Sequence, residues 1–112
     1  MAGNEVISLI AVMPPAEPTN ENGFPNAPVE TVRVLFANRK SVKQSEFYAA
    51  HMAGIKAELV MEVYAEEYRG ERLVEYDGMR YRVVRDYRAQ DSEFVDLTLT
   101  ALPKGDNGYG EL

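Results

Sequence analysis

Arg72–Val84 reads RLVEYDGMRYRVV, and its centre decides the fold. Asp77-Gly78 is the dipeptide preferred by a two-residue type I′ turn, which needs positive φ at both central positions, and it separates two runs of alternating apolar and polar residues. Such a turn sets a register. Tyr76 faces Met79, Glu75 faces Arg80, Val74 faces Tyr81 and Arg72 faces Val83, so apolar pairs gather on one face and the Glu75–Arg80 charge pair lies on the other. An exposed pair of that kind is worth about 0.2–1 kcal/mol and fixes register more than stability.

Working outward from this hairpin, Phe94 to Leu102 alternates again, with Val95, Leu97 and Leu99 inward and Asp96, Thr98 and Thr100 outward. Pro103 ends that strand, and residues 103–112 read as a flexible tail with one tyrosine. On the other side of the hairpin, YRGER turns the chain at Gly70, and before it Leu59, Met61, Val63 and Ala65 alternate with Val60, Glu62, Tyr64 and Glu66 as a long strand. Val29 to Asn38 places Val32, Val34 and Phe36 on one face and Thr31, Arg33 and Leu35 on the other. Val6 to Met13 is apolar on both faces for much of its length, which predicts a strand covered on both sides. Between these last two, Pro14 to Pro28 holds five prolines, one glycine and three asparagines, a composition that leaves no regular structure available. Structureless loops of about 15 residues are uncommon in compact domains and are usually functional or disordered. Phe24 sits mid-loop as an anchor, flanked by Pro18 and Pro25.

One segment breaks the strand pattern. Ser41 to Gly54, SVKQSEFYAAHMAG, opens with a Ser–Gln capping-box spacing and closes on a glycine suited to a left-handed cap, which predicts a short helix. Phe47 and Ala50 form one strip, to be packed on the sheet, while Tyr48, His51 and Met52 form a second that one sheet cannot also cover. The expectation is therefore a mainly β domain, a small antiparallel barrel or sandwich of about six strands, with one short helix between the second and third strands.

The totals narrow the function. A chain of 112 residues is read as a single domain able to bury roughly two-thirds of its unfolded surface. It has no cysteine, which fits a reducing compartment, and its N-terminal apolar run lacks the basic start and the length of a leader or a membrane span. The expectation is a soluble cytosolic protein. Twelve Lys and Arg against 18 Asp and Glu leave a net charge of -6, which argues against a protein whose task is to grip phosphates. With His51 the only histidine, histidine-pair metal sites and Ser-His-Asp or Cys-His sets are excluded by count. The paired carboxylates Glu66/Glu67 and Glu58/Glu62 read as solvated charges rather than an acid–base pair. No catalytic residue, cofactor or metal is expected. Arg33, Arg39, Lys40 and Lys43 form a basic cluster in an acidic chain, read either as ordinary surface or as the partner of an acidic face on a second copy.

The order VRVLFANRKSVKQSEFYAAHMAGIK, then VMEVYAEEYRGERLVEYDGMRYRVVRDY, then a closing alternating strand, resembles the head-closure or head–tail joining proteins of long-tailed bacteriophages and prophages. The resemblance spans about Val29 to Leu102. It implies a β-barrel subunit of a twelve-fold homo-oligomeric ring in the virion neck, made in the bacterial cytoplasm and seated between a portal or adaptor protein and a tail-completion or tail-terminator protein. DNA would pass through the ring without sequence-specific binding, and no membrane is involved. Arg39, Lys40, Lys43, Phe47, Tyr48, His51, Met52 and Lys56 would then face the channel or other subunits. Pro18, Phe24 and Pro25 would contact a neighbour through a loop longer than the family pattern has. The rival readings are a β-barrel module that binds a peptide or protein through that loop, and a small enzyme using Glu58 or Glu66.

Overall fold

The computed structural model of the chain describes residues 4–15, 17–43, 54 and 56–109. Six strands, β1 (Glu5–Met13), β2 (Val29–Lys40), β3 (Leu59–Tyr64), β4 (Leu73–Tyr76), β5 (Met79–Tyr87) and β6 (Phe94–Ala101), close into an antiparallel barrel in the order β1-β2-β3-β6-β5-β4. The expected β4–β5 hairpin is present in its expected register, Val74 opposite Tyr81, Glu75 opposite Arg80 and Tyr76 opposite Met79. Asp77 at φ 53° and Gly78 at φ 76° make the primed turn, and the Val83 N–H donates to the Arg72 carbonyl at 2.8 Å.

The inward positions of the alternating runs form the barrel interior. Ile7 and Leu9 from β1, Leu35 and Ala37 from β2, Leu59, Met61 and Val63 from β3, Val74 from β4, Tyr81 and Val83 from β5, and Val95, Leu97 and Leu99 from β6 make one buried cluster. A bulge between Val83 and Arg85 shifts the β5–β6 register, so that β5 continues to Tyr87 beside Asp96. β3 is shorter than its alternation suggests. After Tyr64 the chain makes a 3-10 turn over Ala65–Glu67, with the Ala65 N–H still donating to the Glu93 carbonyl of the β6 side.

Two expectations about the faces need revision. β1 is not covered on both sides for most of its length: Val6 and Met13 are more than half exposed, and of its outward side chains only Ile10 is fully buried. β1 and β2 run past the barrel as a hairpin with solvent on its outer face, and covering both faces there would require a second layer of chain. The residues 103–109, expected as a flexible tail, instead cross back over β4. The Leu102 N–H donates to the Arg80 carbonyl at 3.0 Å, Gly108 is buried, and the Tyr109 hydroxyl donates to Glu30. Leu73, which faces outward, is fully covered, and a Cβ at position 108 would lie 2.5 Å from its Cδ2.

Gly108 also sits at φ +84°, so an alanine there is strained in backbone and contact alike. Gly108→Ala is expected to cost about 1–3 kcal/mol and to speed amide exchange at Gly108 and Tyr109. Unchanged exchange would mean that the tail is not held by this contact.

The helix expected over Ser41–Gly54 falls on residues 44–53, outside the described residues. At its described ends, Ser41 to Lys43 are not helical and Gly54 takes φ +74°. Among the described residues the helical element is the 3-10 turn between β3 and β4.

Candidate interaction surface

β2 carries the chemistry that distinguishes this barrel, because its two faces differ in kind. Its inward face holds Arg33 between Thr31 and Leu35, at the end of the barrel where β3 gives way to the 3-10 turn. Arg33 there meets Glu71, whose side chain is 5% exposed: Nε donates at 2.9 Å and Nη2 donates to the same carboxylate oxygen and to the Glu67 carbonyl. The Arg69 N–H donates to the other oxygen at 2.8 Å, and the Tyr68 hydroxyl donates to the Glu71 carbonyl at 2.8 Å. Burial works to raise the Glu71 carboxyl, but the hydrogen bonds from Arg33 and the backbone hold it below the ordinary carboxylate value. Burial, with Asp86 nearby, pushes the Tyr68 hydroxyl up to about 12. This network closes the barrel end. A hollow of about 460 Å3 beside it is lined by Ile10 to Met13, Thr31, Arg33 and residues 69–72.

The basic cluster read from sequence is divided by the fold. Arg33 and Arg39 share the inward face six residues apart, about 20 Å along a strand, and so sit at opposite ends of the barrel. Arg39 is exposed, beside the Tyr76 hydroxyl that donates to Glu5 at 2.9 Å. Lys40 points outward and is engaged by Asp96 at 3.1 Å and Glu62 at 3.6 Å, with Asp96 mainly responsible for raising its pKa. Lys43 is likewise engaged within the chain. Lys56, 81% exposed, lies 3.6 Å from Glu58, whose other oxygen accepts the Ala101 N–H. Glu58 is thus spent on structure, and Glu66 lies in the 3-10 turn. Phe47, Tyr48, His51 and Met52 lie outside the described residues, so the second apolar strip of the expected helix is not placed.

The charge pair expected between Glu75 and Arg80 is present in its register but at long range, because Arg80 has a closer partner. Arg80 forks onto Glu30 of β2, Nη1 to Oε2 at 2.7 Å and Nη2 to Oε1 at 3.2 Å, while Glu75 stands at 4.0 Å. Arg80 and Tyr109 together lower the Glu30 pKa. Sequence reading missed this triad because nothing local links positions 30, 80 and 109.

The outward face of β2 is the opposite of the inward one. Val32, Val34 and Phe36 are 53%, 65% and 65% exposed, and Val6 across from Phe36 is 53% exposed. Among the described residues, nine large apolar side chains are exposed and seven of them lie on the β1–β2 hairpin: Val6, Met13, Phe24, Val29, Val32, Val34 and Phe36. Val6, Val32, Val34 and Phe36 share the outward face and form a patch there rather than the scatter normal on any surface, whereas Met13 and Val29, opposite each other, lie on the other face of the hairpin near the loop. The Pro14–Pro28 loop is the tip of the same hairpin and is more ordered than its composition suggests. Thr19 bridges Pro25, the Asn26 N–H donates to the Pro18 carbonyl at 3.1 Å, and Gly23 at φ +80° turns the chain under the Asn20 side chain, which accepts from the N–H groups of Asn22 and Phe24. Phe24 does not anchor the loop to its own barrel, being 65% exposed.

Among the described residues no group of three or more His, Cys, Asp or Glu is placed to hold a metal, and no helix is long and apolar enough to cross a membrane. What the fold and this surface define is a small closed β-barrel with one apolar hairpin facing outward. No family model and no curated protein matches the chain.

Proposed function

We propose that the chain is a structural subunit of a tailed-phage neck, a head–tail joining protein that assembles as a ring between portal or adaptor and tail and surrounds the passing DNA. The observation that carries this reading is the concentration of exposed apolar side chains on the β1–β2 hairpin, seven of the nine among the described residues. Leaving several valines and two phenylalanines in water is costly, about 25 cal/mol for each Å2 of apolar area, unless another protein covers them. The sequence resemblance over Val29 to Leu102 supports the family reading, as does the acidic balance, which suits a wall past which DNA slides better than one to which DNA sticks. Lys40 is committed to Asp96 and Glu62, so subunit contacts fall to the apolar hairpin rather than to the basic cluster.

The direct test is genetic. Cells producing the particle without this chain are expected to accumulate filled or leaking heads and separate tails, and purified protein added to the extract should restore joined particles. Normal joined particles in its absence would overturn the proposal.

A further inference from the structure

β2 is paired with β1 along Val29–Ala37 but with β3 only at Asn38, Arg39 and Lys40. Among the described residues no strand pairs with the other edge of Val29–Ala37, a run of nine residues in which every second residue turns its N–H and C=O away from β1. Natural edges of this length are ordinarily blunted by proline, inward charge or brevity. Val29–Ala37 contains no proline, and its inward charge, Arg33, is neutralised within the chain by Glu71.

The outward side chains along this edge make a pattern that reads the same in both directions. We infer that the β2 edge pairs antiparallel with the β2 edge of a second copy, about a two-fold axis at Val34. In that register Val34 meets its mate, Val32 meets the partner's Phe36 and Phe36 the partner's Val32, so every outward cross-strand pair among these is apolar. On the inward face Arg33 lies opposite Leu35 and Thr31 opposite Ala37. Centring on Arg33 would instead oppose two arginines and set Phe36 against Glu30, and centring on Val32 would set Val34 against Glu30. Because opposed residues must share a face, a one-residue slip of one strand is excluded. Centring on Leu35 would also oppose Val34 and Phe36, but it would set Val32 against Asn38, which β3 already pairs, so the pattern and the extent of the free edge together select the Val34 register.

The contact is isologous, so it cannot by itself propagate a ring. It describes the free subunit and stands independently of the neck assignment. In this register residues 31–37 of each copy pair, well short of the 20–30 residues a side of a standard interface, which makes the dimer weak and concentration-dependent.

The chain has no cysteine, so single replacements report on single positions. Opposed Cα atoms in an antiparallel pair lie about 4.5–5.5 Å apart, within disulfide reach. Val34→Cys under mild oxidation is expected to give a covalent dimer. Val6→Cys, comparably exposed but one strand further in on each copy and offset along the strand, so about 20 Å from its mate, is expected to stay monomeric. Val32→Cys mixed with Phe36→Cys should cross-link more than either variant alone. Sedimentation of the unmodified chain should show a reversible monomer–dimer equilibrium that Val34→Lys abolishes. Equal cross-linking at positions 6 and 34, or a monomer at every concentration, would overturn the inference.

Discussion

Arg33→Ala is expected to lower the free energy of unfolding by about 2–4 kcal/mol, read as a fall in urea midpoint at constant slope. The cause is what remains, not what is removed: Glu71, 5% exposed, keeps its charge and loses both guanidinium donors, with only the backbone N–H groups of Arg69 and Glu71 left on it. The full penalty of a buried unpaired charge is reduced because Arg33 itself is 24% exposed and water can enter where it stood. Replacing both residues together, Arg33→Met with Glu71→Leu, should recover most of the loss. The pH dependence has a fixed sign. Glu71 is depressed in the folded state, so its contribution is present in full above the unfolded value near 4.5 and disappears as pH falls through the lower folded value. Glu71→Gln should therefore flatten the acid limb of stability. An Arg33→Ala variant as stable as the parent would show that water, not Arg33, holds the carboxylate.

Leu97→Ala is expected to cost about 2–5 kcal/mol, a large share of the 5–15 kcal/mol typical of a small domain. Leu97 is fully buried in β6, opposite Met61 of β3, and its loss opens a cavity inside the core that the closed barrel's paired strands cannot readily collapse to fill. Phe36→Ala is the matched contrast. It removes a larger side chain, but one already 65% exposed, so the isolated subunit should change by less than about 0.5 kcal/mol. If Phe36→Ala destabilised the monomer as much as Leu97→Ala, the hairpin face would be core rather than interaction surface.

The barrel was legible because its information is local. Asp77-Gly78 fixes one hairpin, and period-two alternation assigns Leu97, Leu99, Met61 and Val83 inward whatever the neighbouring strands are. Alternation alone does not say which face of β2 is wet. Val32, Val34 and Phe36 form the more apolar face by composition, yet the inward one carries Leu35, Ala37 and an arginine, because Glu71 arrives from a distant turn to pair with Arg33. The signal was available in part: an arginine inside an otherwise core-facing series implies a buried carboxylate, and YRGER supplies one. The tail was misjudged for a related reason. KGDNGYGEL has the composition of a mobile end, but Asp106 and Asn107 cap local turns, Gly108 fits against Leu73, and Tyr109 reaches a residue 79 positions away. The basic cluster failed through periodicity, since Arg33 and Lys40 lie on different faces and each meets its own acid.

The neck assignment is tested most directly by reconstructing the head–tail junction of particles that contain this chain, using electron cryomicroscopy. The expected result is a ring of density on the particle axis between portal and tail into which the six-stranded barrel fits, with the β1–β2 hairpin buried against a neighbouring protein. A junction with no such ring, or the barrel seated with Val32, Val34 and Phe36 facing open solvent, would contradict it.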